Sequence, residues 1–114
     1  MGQLTVERKS FGEVGVLRVQ GSVDAGTSGT MEQGLREVVE AGAKKVVVVM
    51  QNVAFMSSAG WGILLGILKE IRAKGGAMAI AQMSPEIRHV YHLLGMKAFM
   101  KEFASEEEAI AALR

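Results

Sequence analysis

Two segments at the start of the chain alternate apolar and polar residues, which is the pattern of half-buried strands. The first, "LTVERK", begins at Leu4, and the second, "VGVLRVQG", begins at Val14. Turn-forming residues at 10–12 separate them. We therefore expect two strands that pair as a hairpin.

The rest of the chain alternates between short apolar runs and segments whose apolar residues recur at helical spacing. Serine and threonine are preferred at helix N-termini, so the predicted helices start at Thr27 or Ser28, near Ser58, after Ser84 and after Ser105. They end near Gly42, Lys74, Leu94 and Leu113. Strands are predicted in the runs "KKVVVVM", "AMAIA" and "KAFMKEF".

The predicted order is strand, strand, helix, strand, helix, strand, helix, short strand, helix. Strands that alternate with helices after a hairpin indicate an α/β fold. We expect a mixed sheet of four to five strands with about four helices packed against it. A length of 114 residues is typical of one domain, so residues 1–114 are predicted to form a single domain.

The stretch from Val46 to Leu68 contains no charged side chain over 23 residues, which is long enough to cross a bilayer. Polar residues interrupt its middle at 51, 52, 57 and 58, and the run from Val46 to Val49 is typical of a buried strand. We therefore predict no membrane span.

Charge and cysteine content narrow the function further. The net charge is only +1, and the lysines and arginines are scattered, so nucleic acid is not a predicted partner. The absence of cysteine excludes disulfides and thiolate chemistry and suits a reducing compartment. We expect a cytoplasmic protein without a cofactor.

Ser57 and Ser58 lie where the central strand gives way to the second helix, and either hydroxyl is placed to cap that helix. Three kinds of chemistry are conceivable there and nearby: nucleophilic catalysis, dinucleotide binding and metal binding. Met56 replaces the first glycine of a nucleophile elbow, and Leu65 replaces the third glycine of a dinucleotide-binding turn. Glu86, His89 and His92, spaced by three on one helix, are more typical of solvated side chains than of metal ligands. Neither an enzyme nor a metal site is predicted.

One face of the second helix carries Ser58, Trp61, Gly62 and Leu65. The opposite flank is apolar too, and a sheet covers only one side of a helix. The other side is therefore predicted to bind a protein partner, with Trp61 as its anchor. The alternative is that Trp61 is buried in the domain's own core.

From about Leu4 to Leu113 the chain resembles stand-alone STAS domains of the anti-sigma-factor antagonist family. The resemblance is carried, in the family's order, by "GSVDA" at 21–25, "AGAKKVVVVMQNVAFMSSAGWGILL", "AKGGAMAIAQMSPEIRHVYHLLGM" and "FASEEEAIAAL".

The resemblance implies a phosphorylation cycle. In this family the serine that opens the second helix, here Ser58, is phosphorylated by the anti-sigma factor, a serine kinase that binds the antagonist along that helix and a neighbouring loop. The unphosphorylated form binds the kinase, and a phosphatase restores it. We predict a monomer or weak dimer whose partner surface comprises Asp24, Thr27, Ser57, Ser58, Trp61, Gly62 and Leu65.

Two positions depart from the family pattern. Ser57 stands where the family has an aspartate, and Val49 stands where it has an acid. A second hypothesis is therefore a STAS interaction subunit that is not phosphorylated and belongs to a signalling scaffold or a lipid-transport ATPase complex.

Overall fold

Five strands form one mixed sheet in the order β1-β2-β3-β4-β5 in the computed structural model, which describes residues 3–114. The strands are β1 (Leu4–Phe11), β2 (Val14–Val23), β3 (Lys45–Met56), β4 (Ala77–Ala81) and β5 (Lys101–Phe103). β1 is antiparallel to β2, and every later pair is parallel. The predicted hairpin and the mixed sheet are confirmed.

Four α-helices cover the two faces of this sheet. They are α1 (Ser28–Glu40), α2 (Ser58–Ala73), α3 (Pro85–Leu93) and α4 (Glu106–Leu113), and a 3₁₀ turn spans Met96–Ala98. Side chains of α1, α2 and α3 share one core cluster, whereas α4 packs on the opposite face through Ala109 and Ile110. The predicted number and order of helices are confirmed.

β3 is the central strand, and its side chains alternate between the two cores. Val46, Val48 and Met50 join the cluster beneath α1, α2 and α3, and Val47 and Val49 join the cluster beneath α4. Burial on both faces explains why this strand reads as a continuous apolar run in the sequence.

Two predicted boundaries are wrong. β3 does not end near residue 50 but continues to Met56, because β2 pairs with it along that length despite two register shifts. The run "KAFMKEF" is not one strand. Gly95 has a left-handed backbone (φ 68°) that starts the 3₁₀ turn, and only Lys101–Phe103 pairs with β4.

The uncharged stretch at 46–68 is thus divided between β3 and α2. Within residues 3–114, the helices lack the length and apolar character that crossing a membrane requires.

Serine caps were predicted at several helix starts, and the hydrogen bonds differ among them. Ser84 Oγ accepts from the Ile87 N–H at 3.3 Å, and Ser105 Oγ accepts from the Glu108 N–H at 3.1 Å. Thr27 and Ser57 occupy the N-cap positions of α1 and α2 but form no capping bond through their side chains. Both departures lie at the same end of the sheet.

Candidate functional site

The turn between β3 and α2 gives its two adjacent serines opposite environments. Ser57 is the N-cap residue, and its N–H donates to the Val23 carbonyl at 2.8 Å, which ties the turn to the end of β2. The Ser57 Oγ is buried and has no hydrogen-bond partner within residues 3–114. Ser58, the first residue of α2, is exposed. Of the two hydroxyls, that of Ser58 is the one a second protein can reach.

The start of α2 is electrostatically suited to added negative charge. The first backbone N–H groups of a helix have no intrahelical acceptor, and the macrodipole places partial positive charge there. The first turn of α2 contains no Asp or Glu that would offset it. A charged group on Ser58 would therefore meet a favourable local field.

The neighbouring loop between β2 and α1 is held in place by Asp24 and Thr27. Asp24 Oδ1 accepts from the N–H groups of Gly26 (2.9 Å) and Thr27 (3.1 Å). Thr27 Oγ1 donates to the Ser22 carbonyl at 2.6 Å and accepts from the Asp24 N–H at 2.9 Å. Both predicted site residues brace this loop, which is joined to the Ser57 turn through the Val23 carbonyl. A direct contact of either side chain with a partner stays a prediction.

The prediction that Trp61 is an exposed anchor for a partner is wrong. Its side chain is only 3% exposed, belongs to the core, and lies with its ring centroid 6.3 Å from that of Tyr91. Gly60 explains the close packing, because a Cβ there would come within 2.6 Å of Met56 Cγ. With no side chain at 60, the first turn of α2 lies directly against Met56 and Val23.

The exposed side of α2 borders a groove of about 400 Å³ against α1, here called the α1–α2 groove. Its α2 wall includes Gly62, where an added Cβ would have no neighbour within 4 Å. Arg36 of α1 donates to Glu70 of α2 at 2.7 Å across the groove, which raises the pKa of Arg36 and lowers that of Glu70. Leu65 is half-buried and packs against the core. The groove, rather than an indole, forms the accessible face beside Ser58.

Phe55 is a surface residue that the sequence pattern did not reveal. Its side chain is 53% exposed, two residues before Ser57. Simple alternation would place it on the buried face with Val53. The register instead pairs Gly21 with Val53 and Ser22 with Phe55, so Ala54 is an extra residue that turns Phe55 outward.

The fold and site together define a small α/β domain that presents one hydroxyl at the start of a helix, between a braced loop and an interhelical groove. The sequence profile of the STAS domain matches residues 5–109, and the chain belongs to the STAS domain family. The resemblance stated above and the fold that it implies are confirmed.

Relatives of known character are similar over nearly the whole chain. The anti-sigma F factor antagonist of Paenibacillus polymyxa is 28% identical over 111 residues, which cover 96% of this chain and 95% of that protein. The unphosphorylated anti-sigma factor antagonist SpoIIAA is 27% identical, with a TM-score of 0.81, and 96% of each chain is covered. The phosphorylated form of SpoIIAA, a Bacillus cell fate determinant, gives 0.75 at 27% identity, covering 96% of this chain and all of that one.

Proposed function

We propose that this protein is a regulatory binding protein that binds an anti-sigma-factor kinase through the surface around Ser58, and that phosphorylation of Ser58 ends the complex. The observation that carries the proposal is the contrast between the exposed Ser58 and the buried Ser57 hydroxyl. The names of its relatives, including a SpoIIAA structure in a phosphorylated form, support it. The role proposed is binding rather than catalysis, in the cytoplasm.

The covalent step is a transfer from ATP. The Ser58 oxygen forms a new bond to the γ-phosphorus, the bond from that phosphorus to the β-phosphate oxygen breaks, and ADP leaves while the hydroxyl proton is released. The product carries about −1.5 to −2 charges, which the start of α2 tolerates with a gain on the order of 0.3–1 kcal/mol. The domain therefore has no need to rearrange.

In the complex, the same phosphate is expected to be unfavourable. A dianion without a matching cation, pressed into a dry interface, costs several kcal/mol, and about 1.4 kcal/mol is already a tenfold loss of affinity. Phosphorylation is therefore expected to weaken the complex by at least about tenfold.

The modification is tested by incubating the purified protein with the anti-sigma-factor kinase of its own organism and ATP, followed by intact-mass analysis. We expect one added phosphate in the wild type and in Ser57→Ala, and none in Ser58→Ala. Phosphate that persists in Ser58→Ala, or is lost in Ser57→Ala, would contradict the assignment of Ser58.

The effect on binding is measured by calorimetric titration of the same kinase with phosphorylated and unphosphorylated protein. Ser58→Ala is the matched control, because it should bind as the unphosphorylated form does and should not respond to ATP. Equal affinities of the two forms would remove the proposed switch but leave the binding role in place.

A second candidate is a STAS interaction subunit of a signalling scaffold or lipid-transport ATPase complex, without phosphorylation. It is favoured by the lack of acids at the two positions that depart from the family pattern: the Ser57 oxygen is buried, and Val49 is an apolar core residue only 4% exposed. This candidate predicts a complex whose stability is the same with and without ATP, and which survives Ser58→Glu.

A further inference from the structure

A second cleft lies at the opposite end of the sheet from Ser58. Ser58 follows the carboxyl end of β3, whereas this cleft is bordered by the first residues of β2 and β3, Val14 and Lys45. The β1–β2 turn and the chain after α1 complete its walls, and its volume is about 630 Å³. We call it the basal cleft. Ligand pockets in proteins commonly have volumes of about 300–1,000 Å³.

The basal cleft concentrates positive charge. Four cations and one carboxylate line it, a formal charge of +3, and these are Arg8, Lys9, Lys44, Lys45 and Glu13. The whole chain carries only +1, so the rest of the molecule is net negative. This asymmetry attracts anions to one end of the domain.

Two of the four cations have acidic neighbours. Arg8 lies 3.3 Å from Glu37, and Lys9 lies 3.7 Å from Glu7, with all four side chains about half exposed. Such exposed ion pairs contribute little to stability and are screened by salt, so an incoming anion can compete for these cations. Lys44 and Lys45 have no ion-pair partner among residues 3–114.

The cleft also brings backbone within reach of a ligand. Gly12, Gly42 and Gly75 line it, all with positive φ (65°, 104° and 80°), and an added Cβ on any of them would have no neighbour within 4 Å. Glycine at such turns leaves the main chain accessible to a ligand at close range.

We propose that the basal cleft binds a small phosphate-bearing anion, held chiefly by Lys44 and Lys45. Lysine ammonium groups bind phosphate as mobile point charges, and Arg8 adds a donor fork after exchanging its carboxylate partner. The phosphate belongs either to a free small molecule or to a lipid headgroup. This site is separate from the Ser58 surface and does not depend on the function proposed there.

The test uses the full chain and pyrophosphate as the probe, by calorimetric titration at about 50 mM salt. We expect saturable one-to-one binding with a dissociation constant below about 1 mM. The double variant Lys44→Ala/Lys45→Ala should weaken binding about tenfold or more. The matched control Lys69→Ala/Lys101→Ala removes two lysines that lie outside the cleft, and its affinity should stay within about twofold of wild type.

Two further arms identify the chemistry and the source. Citrate, a trianion without phosphate, should bind at least about tenfold more weakly than pyrophosphate. The second arm tests whether the protein sediments with lipid vesicles. The phosphate is assigned to a lipid headgroup if the wild type sediments with phosphatidylglycerol vesicles but not with phosphatidylcholine vesicles, and if Lys44→Ala/Lys45→Ala does not sediment with either. The proposal is overturned if pyrophosphate and phosphatidylglycerol both fail to bind, if citrate binds equally well, or if the two double variants lose affinity equally. Circular dichroism of each variant confirms that its fold is retained.

Discussion

Ser57→Ala should stabilise the domain, although removing a serine from an N-cap position usually destabilises a helix by about 0.5–2 kcal/mol. The usual loss arises because the serine oxygen accepts a bond from a backbone N–H in the first turn. Ser57 forms no such bond, and its oxygen is buried without a partner within residues 3–114. Alanine therefore removes a desolvated hydroxyl and breaks no hydrogen bond.

The expected magnitude follows from two opposing terms. Burying a polar group without a partner costs about 1–3 kcal/mol, and this cost disappears in the variant. Deleting one oxygen leaves roughly 15–20 Å³ unfilled, which costs about 0.4 kcal/mol at about 24 cal/mol per Å³. The net gain is about 1 kcal/mol, or a rise in Tm of about 4 °C for a domain of this size.

Urea and thermal unfolding of the wild type and four variants measure this effect. Ser84→Ala and Ser105→Ala are the matched controls, because each of those serines does accept a capping bond. Each control should lose about 1 kcal/mol. Ser58→Ala, which changes an exposed hydroxyl, should stay within about 0.5 kcal/mol of wild type.

The result that refutes this prediction is a loss of about 1 kcal/mol in Ser57→Ala, as in the two controls. The Ser57 hydroxyl would then be hydrogen-bonded in solution, and the distinction between a sealed Ser57 and an open Ser58 would be wrong. Ser57 would then also have to be considered as a phosphorylation site.

Two further predictions concern α2 and the contact of α4 with the sheet. Gly66→Ala should raise the free energy of unfolding by about 0.5–1 kcal/mol in urea, because the added Cβ enters open space on a helix. Gly60→Ala in the same helix should lower the free energy of unfolding, because the added Cβ would collide with Met56. Equal effects of the two substitutions would contradict the packing described. The Arg18 guanidinium donates to Glu106 at 2.7 Å and lowers the pKa of the Glu106 carboxyl. The stabilising effect of this ion pair is therefore complete above the pKa of about 4.3 that Glu106 has in the unfolded chain, and it is lost as the pH falls through the pKa of Glu106 in the folded protein. The Tm of Glu106→Gln should therefore lie below that of wild type at pH 7 and approach it near pH 3, and a difference independent of pH would refute the pairing.

The order of elements was predictable because each one is encoded in local periodicity. The alternation from Leu4 and Val14 specified the hairpin, and the burial of β3 on both faces matches its continuous valine run. Ser84 and Ser105 marked two helix starts, since their caps depend on residues only three positions away. Local signals of this kind can be interpreted from the sequence without knowing the tertiary structure.

The misjudged features depend on contacts between distant residues. A helix that is apolar all round gives no unique inward face. The inward face of α2 is set by its packing, with Gly60 in close approach to Met56 and Trp61 beside Tyr91. The outward turn of Phe55 follows from a register shift between β2 and β3. Neither the close approach nor the shift has a periodic signature in the chain itself.

The burial of Trp61 changes which features at this end of the molecule the proposed partner could contact. Without an indole to insert into a partner pocket, the accessible apolar features at this end include the Phe55 ring and the open α2 surface at Gly62. Because Gly62 has no side chain, a partner's backbone can come close to the helix there, one turn from Ser58. A close, shallow contact leaves little room for hydrated phosphate. In the proposed switch, the partner therefore loses affinity through exclusion and desolvation at Ser58, and the buried Trp61 is not part of the contact.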